Sequence, residues 1–309
     1  MLDLSAINSL LITGTNGFVG RSLIDQIASL SRDSLPGRLI LLTRHGLEFD
    51  LPANLWEIST VLERDLTKDW MLNQEVSHLI NLAADGSKSP YSPEASKNFS
   101  SIVNNLVSWI STFQDPPRVF HASSGACSGY IPINVDKEFS NLKNNFVQNR
   151  LQAELDLKRA SENIGFELSI GRLFSFSGTH LISKNHYAIS NFINAAKKSR
   201  LINVTGDPNT VRSYLHQESL ANWLLTSLVS QNAFTDLQIG SSQPVTIREL
   251  AEFIAESTSS ELNYASDPIP GDIYLPDNQE TQDKLGVIEG KGWKTAVLEM
   301  LIPENEGHQ

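Results

Sequence analysis

The sequence predicts an α/β fold, a doubly wound parallel sheet followed by a smaller C-terminal lobe. Two observations carry that reading. Short apolar runs alternate with stretches of helical spacing, and the runs are apolar throughout, as strands buried on both faces of a parallel sheet are. The first run, Leu10-Leu11-Ile12-Thr13, ends in Gly14-x-x-Gly17-x-x-Gly20 and passes at once into a helical pattern at Leu23, Ile24, Ile27 and Leu30. Strand, glycine loop and helix in that order form the context in which such a loop binds a dinucleotide. The helix N-terminus offers unpaired N–H groups and a partial positive charge to a pyrophosphate. A tight strand-to-helix turn alone would use the same glycines. Their place at the head of an alternating β/α chain favours the cofactor, and makes the sheet Rossmann-type.

The remaining elements follow in order. Arg38–Arg44 reads as a second strand, and residues 55–64 as a third, closed by Asp65-Leu66-Thr67. His78–Leu82 is a fourth strand ending in Ala83-Ala84. A helix after Pro93 carries Phe99, Ile102, Val103, Leu106 and Ile110 at helical spacing. Pro116-Pro117 precedes a fifth strand, Arg118–Ala122, which ends at Ser123-Ser124-Gly125. A polar, Asn-rich loop is expected as far as about residue 145, then a helix with Leu151, Leu155 and Leu157, then a sixth strand over 167–173.

Further on, helices are expected over 188–198 and 217–230, with strands over 201–204 and 234–240. Thr246 begins another helix as its N-cap, with Glu249 completing a capping box. The stretch from Leu262 to Gly286 reads as loop. We expect a dinucleotide-binding domain over 1–175 with a return segment at about 206–240. The smaller lobe takes 176–205 and 241–305.

Composition narrows the function. The chain has 309 residues, 40% hydrophobic and 19% charged, enough for a sizeable core. Its net charge of −11 argues against nonspecific binding to nucleic acid or anionic membranes. A single cysteine, Cys127, allows neither a disulfide framework nor a cysteine metal cage. With no basic N-terminal region before a long apolar stretch and no apolar run of bilayer length, a soluble, cytoplasmic protein is expected.

Several landmarks together resemble a family. They are Thr13–Gly20, Asp65-Leu66-Thr67, Asn81-Leu82-Ala83-Ala84, the stretch 123–129, Gly171-Arg172-Leu173-Phe174, Val211–His216 and Tyr274-Leu275-Pro276-Asp277. In this order and spacing the chain resembles the extended short-chain dehydrogenase/reductase superfamily, the NAD(P)-dependent nucleotide-sugar epimerases and dehydratases. The resemblance implies that Gly14, Gly17, Phe18, Val19 and Gly20 cradle the pyrophosphate. Asp65 and Leu66 would border the adenine, and Ala83 and Ala84 the nicotinamide riboside. The residue closing the second strand would read the adenine ribose. An acid there would accept from the 2′-hydroxyl and select NAD. The chain has Thr43-Arg44 instead, and a guanidinium suits a 2′-phosphate. NADP(H) is therefore favoured over NAD(H), while an Arg44 that only stacks on the adenine would leave NAD possible.

The match breaks at the catalytic helix. The family pairs a Ser or Thr after strand five with Tyr-x-x-x-Lys, the tyrosine moving the proton and the lysine holding the nicotinamide ribose and lowering the tyrosine's pKa. Ser124 matches the serine. The run Asn149-Arg150-Leu151-Gln152-Ala153-Glu154 aligns with the family's helix and puts Phe146 at the tyrosine position and Arg150 at the lysine position. Phenylalanine exchanges no proton. Either the chain binds a dinucleotide with little redox chemistry, or Tyr130, Tyr187, His186 or a water held by Ser124 carries the proton. A misaligned loop is a third reading, weakened because no tyrosine lies between Tyr130 and Tyr187.

By resemblance Arg212 binds the diphosphate of a nucleotide sugar, through a fork suited to phosphate oxygens. Asn191 is a further substrate contact, and Tyr274 and Asp277 belong to a C-terminal motif without an assigned role. The histidines lack metal-ligand spacing. The expectation is a homodimeric NAD(P)-dependent nucleotide-sugar epimerase, dehydratase or reductase, its helices near 96–113 and 145–163 forming the dimer. The alternative is a non-catalytic NAD(P)-binding protein, a sensor or a partner subunit.

Overall fold

The computed structural model describes residues 2–68, 70–84, 91–128, 137–181, 187–269 and 271–302. The first part of the chain runs β1 (Leu10–Thr13), α1 (Phe18–Ala28), β2 (Leu39–Thr43), β3 (Ser59–Glu63), β4 (His78–Asn81), α2 (Pro93–Ile110), β5 (Arg118–Ser124), α3 (Lys137–Ile164) and β6 (Leu168–Leu173). The second part runs β7 (Phe176–Ser177), α4 (Ala188–Ser199), β8 (Leu201–Gly206), β9 (Val211–Arg212), β10 (Leu215–His216), α5 (Gln217–Val229) and β11 (Leu237–Ile239). It ends with β12 (Val245–Thr246), α6 (Ile247–Thr258), β13 (Glu261–Ile269), α7 (Gln279–Leu285) and α8 (Trp293–Leu301).

Seven strands form one parallel sheet in the order β11-β6-β5-β4-β1-β2-β3. The chain winds outward from β1 through β2 to β3, then crosses to β4 on the other side of β1. The strand order reverses between β1 and β4, and a crevice opens there beyond the carboxyl ends. Alternate residues of the strands feed two cores, one on each face. Leu10, Ile12, Leu39, Leu41, Ile80 and Phe120 pack with α1 and α5. Leu11, Ile40, Leu42, Leu79, Val119 and Ile170 pack with Phe99, Ile102, Val103 and Leu106 of α2 and with Leu157 of α3. Three two-stranded sheets lie outside it, β7 with β10, β9 with β12, and β8 with β13.

Most sequence expectations match these elements, including the Thr246–Glu249 capping box at α6. Three do not. Residues 53–58 are a short 3-10 helix rather than the start of β3, with Trp56 exposed. Helix α3 begins at Lys137, not near residue 145, and is 28 residues long. Its first turns are poor in apolar residues, so the polar run hid a helix. The loop-rich stretch 262–286 holds more regular structure than expected: residues 261–269 pair in parallel with β8, with an irregularity between Tyr264 and Ile269, and α7 occupies Gln279–Leu285. Asp267-Pro268 reads as a turn, yet a proline is tolerated on an edge strand or at a bulge.

Candidate active site

Gly14 leaves β1 with φ +69°, and an added Cβ would lie 2.9 Å from the Leu82 carbonyl at the end of β4. Gly20 meets the turn even more closely, since its Cβ would lie 2.6 Å from both the Gly14 oxygen and the Thr15 Cα. These two glycines let α1 and the loop press onto the sheet. Gly17 is the N-cap of α1 and has no side chain to cap the first turn. The loop is held by Thr13, whose Oγ1 donates to Asn81 Oδ1 at 2.8 Å and accepts from the Leu82 and Ala83 N–H groups at 3.1 Å.

Two adjoining cavities share Gly14, Gly17 and Leu82. The larger, about 460 Å³, is lined among others by Thr43, Arg44, His45, Arg64, Leu66, Ala83 and Ala84. Thr43 Oγ1 is buried there without a hydrogen-bond partner. Asp65 stands at its margin, its carboxyl held below the usual range by Thr67, whose hydroxyl and N–H both donate to it. The smaller cavity, about 300 Å³, is lined by Phe18, Val19, Gly20, Ala122, Leu173, Phe176 and Tyr187 among others. Phe176 stacks on Phe18 at 4.6 Å and meets Tyr187 at 5.5 Å, making an aromatic wall. An uncapped helix start, glycines at the turn and an unsatisfied hydroxyl beside two arginines fit a dinucleotide laid across both cavities.

Ser124 ends β5, half-buried, opposite Leu173 of β6. Its Oγ accepts weakly from the Ala126 N–H at 3.3 Å. Helix α3 is pinned beside it by Glu154, which accepts from the Ser123 hydroxyl at 2.6 Å and takes both forks of Arg172 at 3.0 and 2.7 Å. Two turns earlier on α3, Phe146 meets Tyr91 edge-on at 5.3 Å. Arg150 lies between, its guanidinium 3.4 Å over the Phe99 ring and 5.0 Å from the Phe146 ring. Burial lowers the Arg150 pKa to about 10, so it stays charged at neutral pH. Below it, His121 is 1% exposed and touches Asn81 through Nδ1 at 3.0 Å. Its Nε2 has no partner. Burial, then the Arg150 charge, lowers the His121 pKa to about 3 and keeps the ring neutral.

Opposite Ser124, β9 and the segment 272–274 run side by side. The Val211 N–H donates to the Asp272 carbonyl at 2.9 Å, and the Tyr274 N–H to the Val211 carbonyl at 3.0 Å. Arg212 pairs with Asp272 at 2.5 Å and lies 5.8 Å from the Tyr274 ring centre. Burial pushes the Arg212 pKa down and that of Asp272 up. The Tyr274 hydroxyl lies against Gly125, the residue after Ser124, where an added Cβ would come within 2.6 Å of its oxygen; burial raises its pKa and Ser124 opposes that shift.

Residues 10–240 match the sequence profile of the NAD-dependent epimerase/dehydratase family. The chain belongs to this family. Solved structures agree in fold. The UDP-N-acetylglucosamine 4-epimerase of Methanobrevibacter ruminantium, in complex with UDP-N-acetylmuramic acid, is 19% identical with a TM-score of 0.77, over 97% of this chain and 98% of that one. The UDP-glucose 4-epimerase of Thermotoga maritima, with UDP-glucose, is 15% identical with a TM-score of 0.76, over 95% and 97%. WbmF of Bordetella bronchiseptica, in complex with NAD+, is 16% identical with a TM-score of 0.75, over 97% and 92%. No curated protein matches.

For a member of the NAD-dependent epimerase/dehydratase family, the structure gathers most sequence-chosen residues at one crevice. Gly14, Gly17, Phe18, Val19, Gly20, Thr43, Arg44, Leu66, Ala83 and Ala84 all line the two cavities. Asn191 is exposed in the first turn of α4, which Tyr187 caps. Tyr130 and His186 lie outside the described residues. Sequence reasoning missed His45, Arg64, Phe176 and the approach of Tyr274 to Ser124. Phe176 was signalled by its place just after the Gly171–Phe174 motif, whereas Tyr274 is far from Ser124 in sequence and only the pairing with β9 brings it there. Elsewhere, His216, Glu218 and Glu299 hold ligand-type atoms within 4.8 Å of one another. The Lys291 ammonium pairs with both glutamates, so the chain supplies that cluster's cation itself. Among the described residues, no helix is long and apolar enough to cross a membrane.

Proposed function

We propose that this chain is an NAD(P)-dependent epimerase, dehydratase or ketoreductase acting on a nucleotide-diphosphate sugar. The observation that carries the reading is the pair of adjoining cavities that run from the Gly14–Gly20 loop to Leu173 on β6 and to Ala122 on β5, two residues before Ser124. Bound there, the dinucleotide supplies hydride transfer at a sugar carbon. The N–H groups of Phe18, Val19 and Gly20 hold its pyrophosphate. Arg44, with Arg64 beside it, takes the 2′-phosphate of NADP(H), and Leu66 and Asp65 border the adenine. Ala83 and Ala84 face the nicotinamide riboside, and Arg150 holds its ribose. Ser124 hydrogen-bonds the reacting sugar oxygen. Arg212 exchanges Asp272 for a phosphate oxygen, and Asn191 contacts the sugar nucleotide. UDP-sugars in two of the structural neighbours support the substrate class.

The protein acts in the cytoplasm as a homodimer through α2 and α3, where Leu155 is 42% exposed. Light scattering should give twice the chain mass. The function is tested by the nucleotide content of the purified protein and by turnover of a panel of nucleotide sugars with NADPH and NADP+. Bound cofactor with turnover of one panel member is expected. Bound cofactor without any turnover would favour a non-catalytic NAD(P)-binding sensor or partner subunit, the reading that Phe146 supports.

A further inference from the structure

A tyrosine from outside α3 reaches the end of β5, where Ser124 stands. Tyr274 leaves the segment that pairs with β9, lays its ring on Phe174 at 4.8 Å, and brings its hydroxyl against Gly125, next to Ser124. The approach depends on Gly125. A Cβ on that residue would lie 2.6 Å from the Tyr274 hydroxyl oxygen and 2.7 Å from the Phe174 ring. Two independent features, a backbone pairing and a missing side chain, thus converge on the contact. On the α3 side, Phe146 offers only a ring edge to Tyr91.

We propose that Tyr274 is the proton carrier of this active site, giving its hydroxyl proton to the sugar oxygen that Ser124 holds. The assignment rests on the function proposed above. In ketone reduction the carbonyl carbon receives the hydride, the C=O π pair moves to oxygen, and that oxygen takes the Tyr274 proton. The carbonyl is reduced, the nicotinamide is oxidised, and the phenolate is reprotonated from solvent water through the Ser124 hydroxyl. Among the described residues, the charged and titratable groups that act on Tyr274 include Tyr91, Cys127 and Arg212. Burial raises the Tyr274 pKa, so the group stands protonated at neutral pH and serves the reductive direction. Arg212, over the ring face, steadies the phenolate left behind.

The test uses the full chain with UDP-glucose and NADPH or NADP+, and with any panel sugar that turns over. Tyr274→Phe removes one oxygen and should lower kcat by at least about 100-fold, with UDP-glucose and NADPH affinities changed by less than about 3-fold. Phe146→Tyr in that background should restore part of kcat. In protein labelled at tyrosine Cζ, the Tyr274 signal, assigned by its loss in Tyr274→Phe, should shift when UDP-glucose binds. A Tyr274→Phe enzyme within about 3-fold of wild type would overturn the assignment, as would a large loss on Tyr91→Phe alone. Bound UDP-glucose with an unmoved Tyr274 signal would overturn it even without turnover. Failure to bind any nucleotide sugar of the panel would overturn both the assignment and the function on which it rests.

Discussion

The Arg150 guanidinium lies 3.4 Å over the Phe99 ring, joining the helix α3 to the helix α2. A stacked planar cation is held flat, with its N–H groups directed sideways. A lysine at this position would keep the charge and lose the stack. Arg150→Lys should cost about 1 kcal/mol of stability in urea denaturation. Arg150→Ala should cost as much again in stability. It should also weaken NADPH binding by about 10-fold in a fluorescence titration, the loss of one charged hydrogen-bond donor group.

Burial, with the charge of the same guanidinium adding to it, keeps His121 neutral, its pKa lowered to about 3 from an ordinary 6.5. Between those values the unfolded chain binds a proton that the folded chain does not. Stability therefore rises with pH across this window and is lost as pH falls through it, by up to about 1.4 kcal/mol per pH unit for this one group. His121→Gln should flatten the dependence of stability on pH between 4 and 6 by about that slope. Urea melts of both proteins across this range check it, and an unchanged slope would contradict a buried neutral ring.

Gly14 combines a left-handed backbone with a close approach to β4. Gly14→Ala should destabilise the protein by about 1–3 kcal/mol and, by lifting the loop, abolish measurable NADPH binding. Thermal melts and the same fluorescence titration read the two effects separately. Gly165 also has a positive φ but open space around it, so Gly165→Ala should strain only the backbone and leave cofactor binding intact.

Arg44, His45 and Arg64 line one cavity with Thr43 and Glu48, and β2 itself contains no acid. Arg44→Ala should raise the Kd for NADPH by about 10-fold or more while changing that for NADH far less, since only the former carries the 2′-phosphate. Equal losses for both would mean that Arg44 stacks on the adenine and does not read the phosphate.

The Rossmann half was legible because its signals are local. The glycine spacing, the apolar run of β2 and the spacing of Phe99 to Ile110 each dictate an element without help from the rest of the chain. The lining of the larger cavity by Thr43 and Arg44 was legible for the same reason, since Thr43 closes the strand β2 and Arg44 follows it. What the sequence hid depends on long-range pairing. β13 gains its strand conformation from β8 some 60 residues earlier, and Asp267-Pro268 argues locally for a turn. The start of α3 was hidden by asparagines that are poor helix formers on their own. Tyr274 was noticed as part of a motif without an assigned role, and Ser124 as a hydrogen-bond donor. That they come together follows only from the pairing of 272–274 with β9 and from the bare Cα of Gly125.

The central claim is that one crevice holds a dinucleotide and a nucleotide sugar side by side over Ser124. A crystal structure with NADP+ and UDP-glucose measures it most directly. The account predicts the pyrophosphate on the Phe18 and Val19 N–H groups, the nicotinamide ribose on Arg150, the 2′-phosphate at Arg44, and a glucose hydroxyl within hydrogen-bond reach of both Ser124 and Tyr274. A dinucleotide bound away from the Gly14–Gly20 loop, or a sugar out of reach of Ser124, would contradict it.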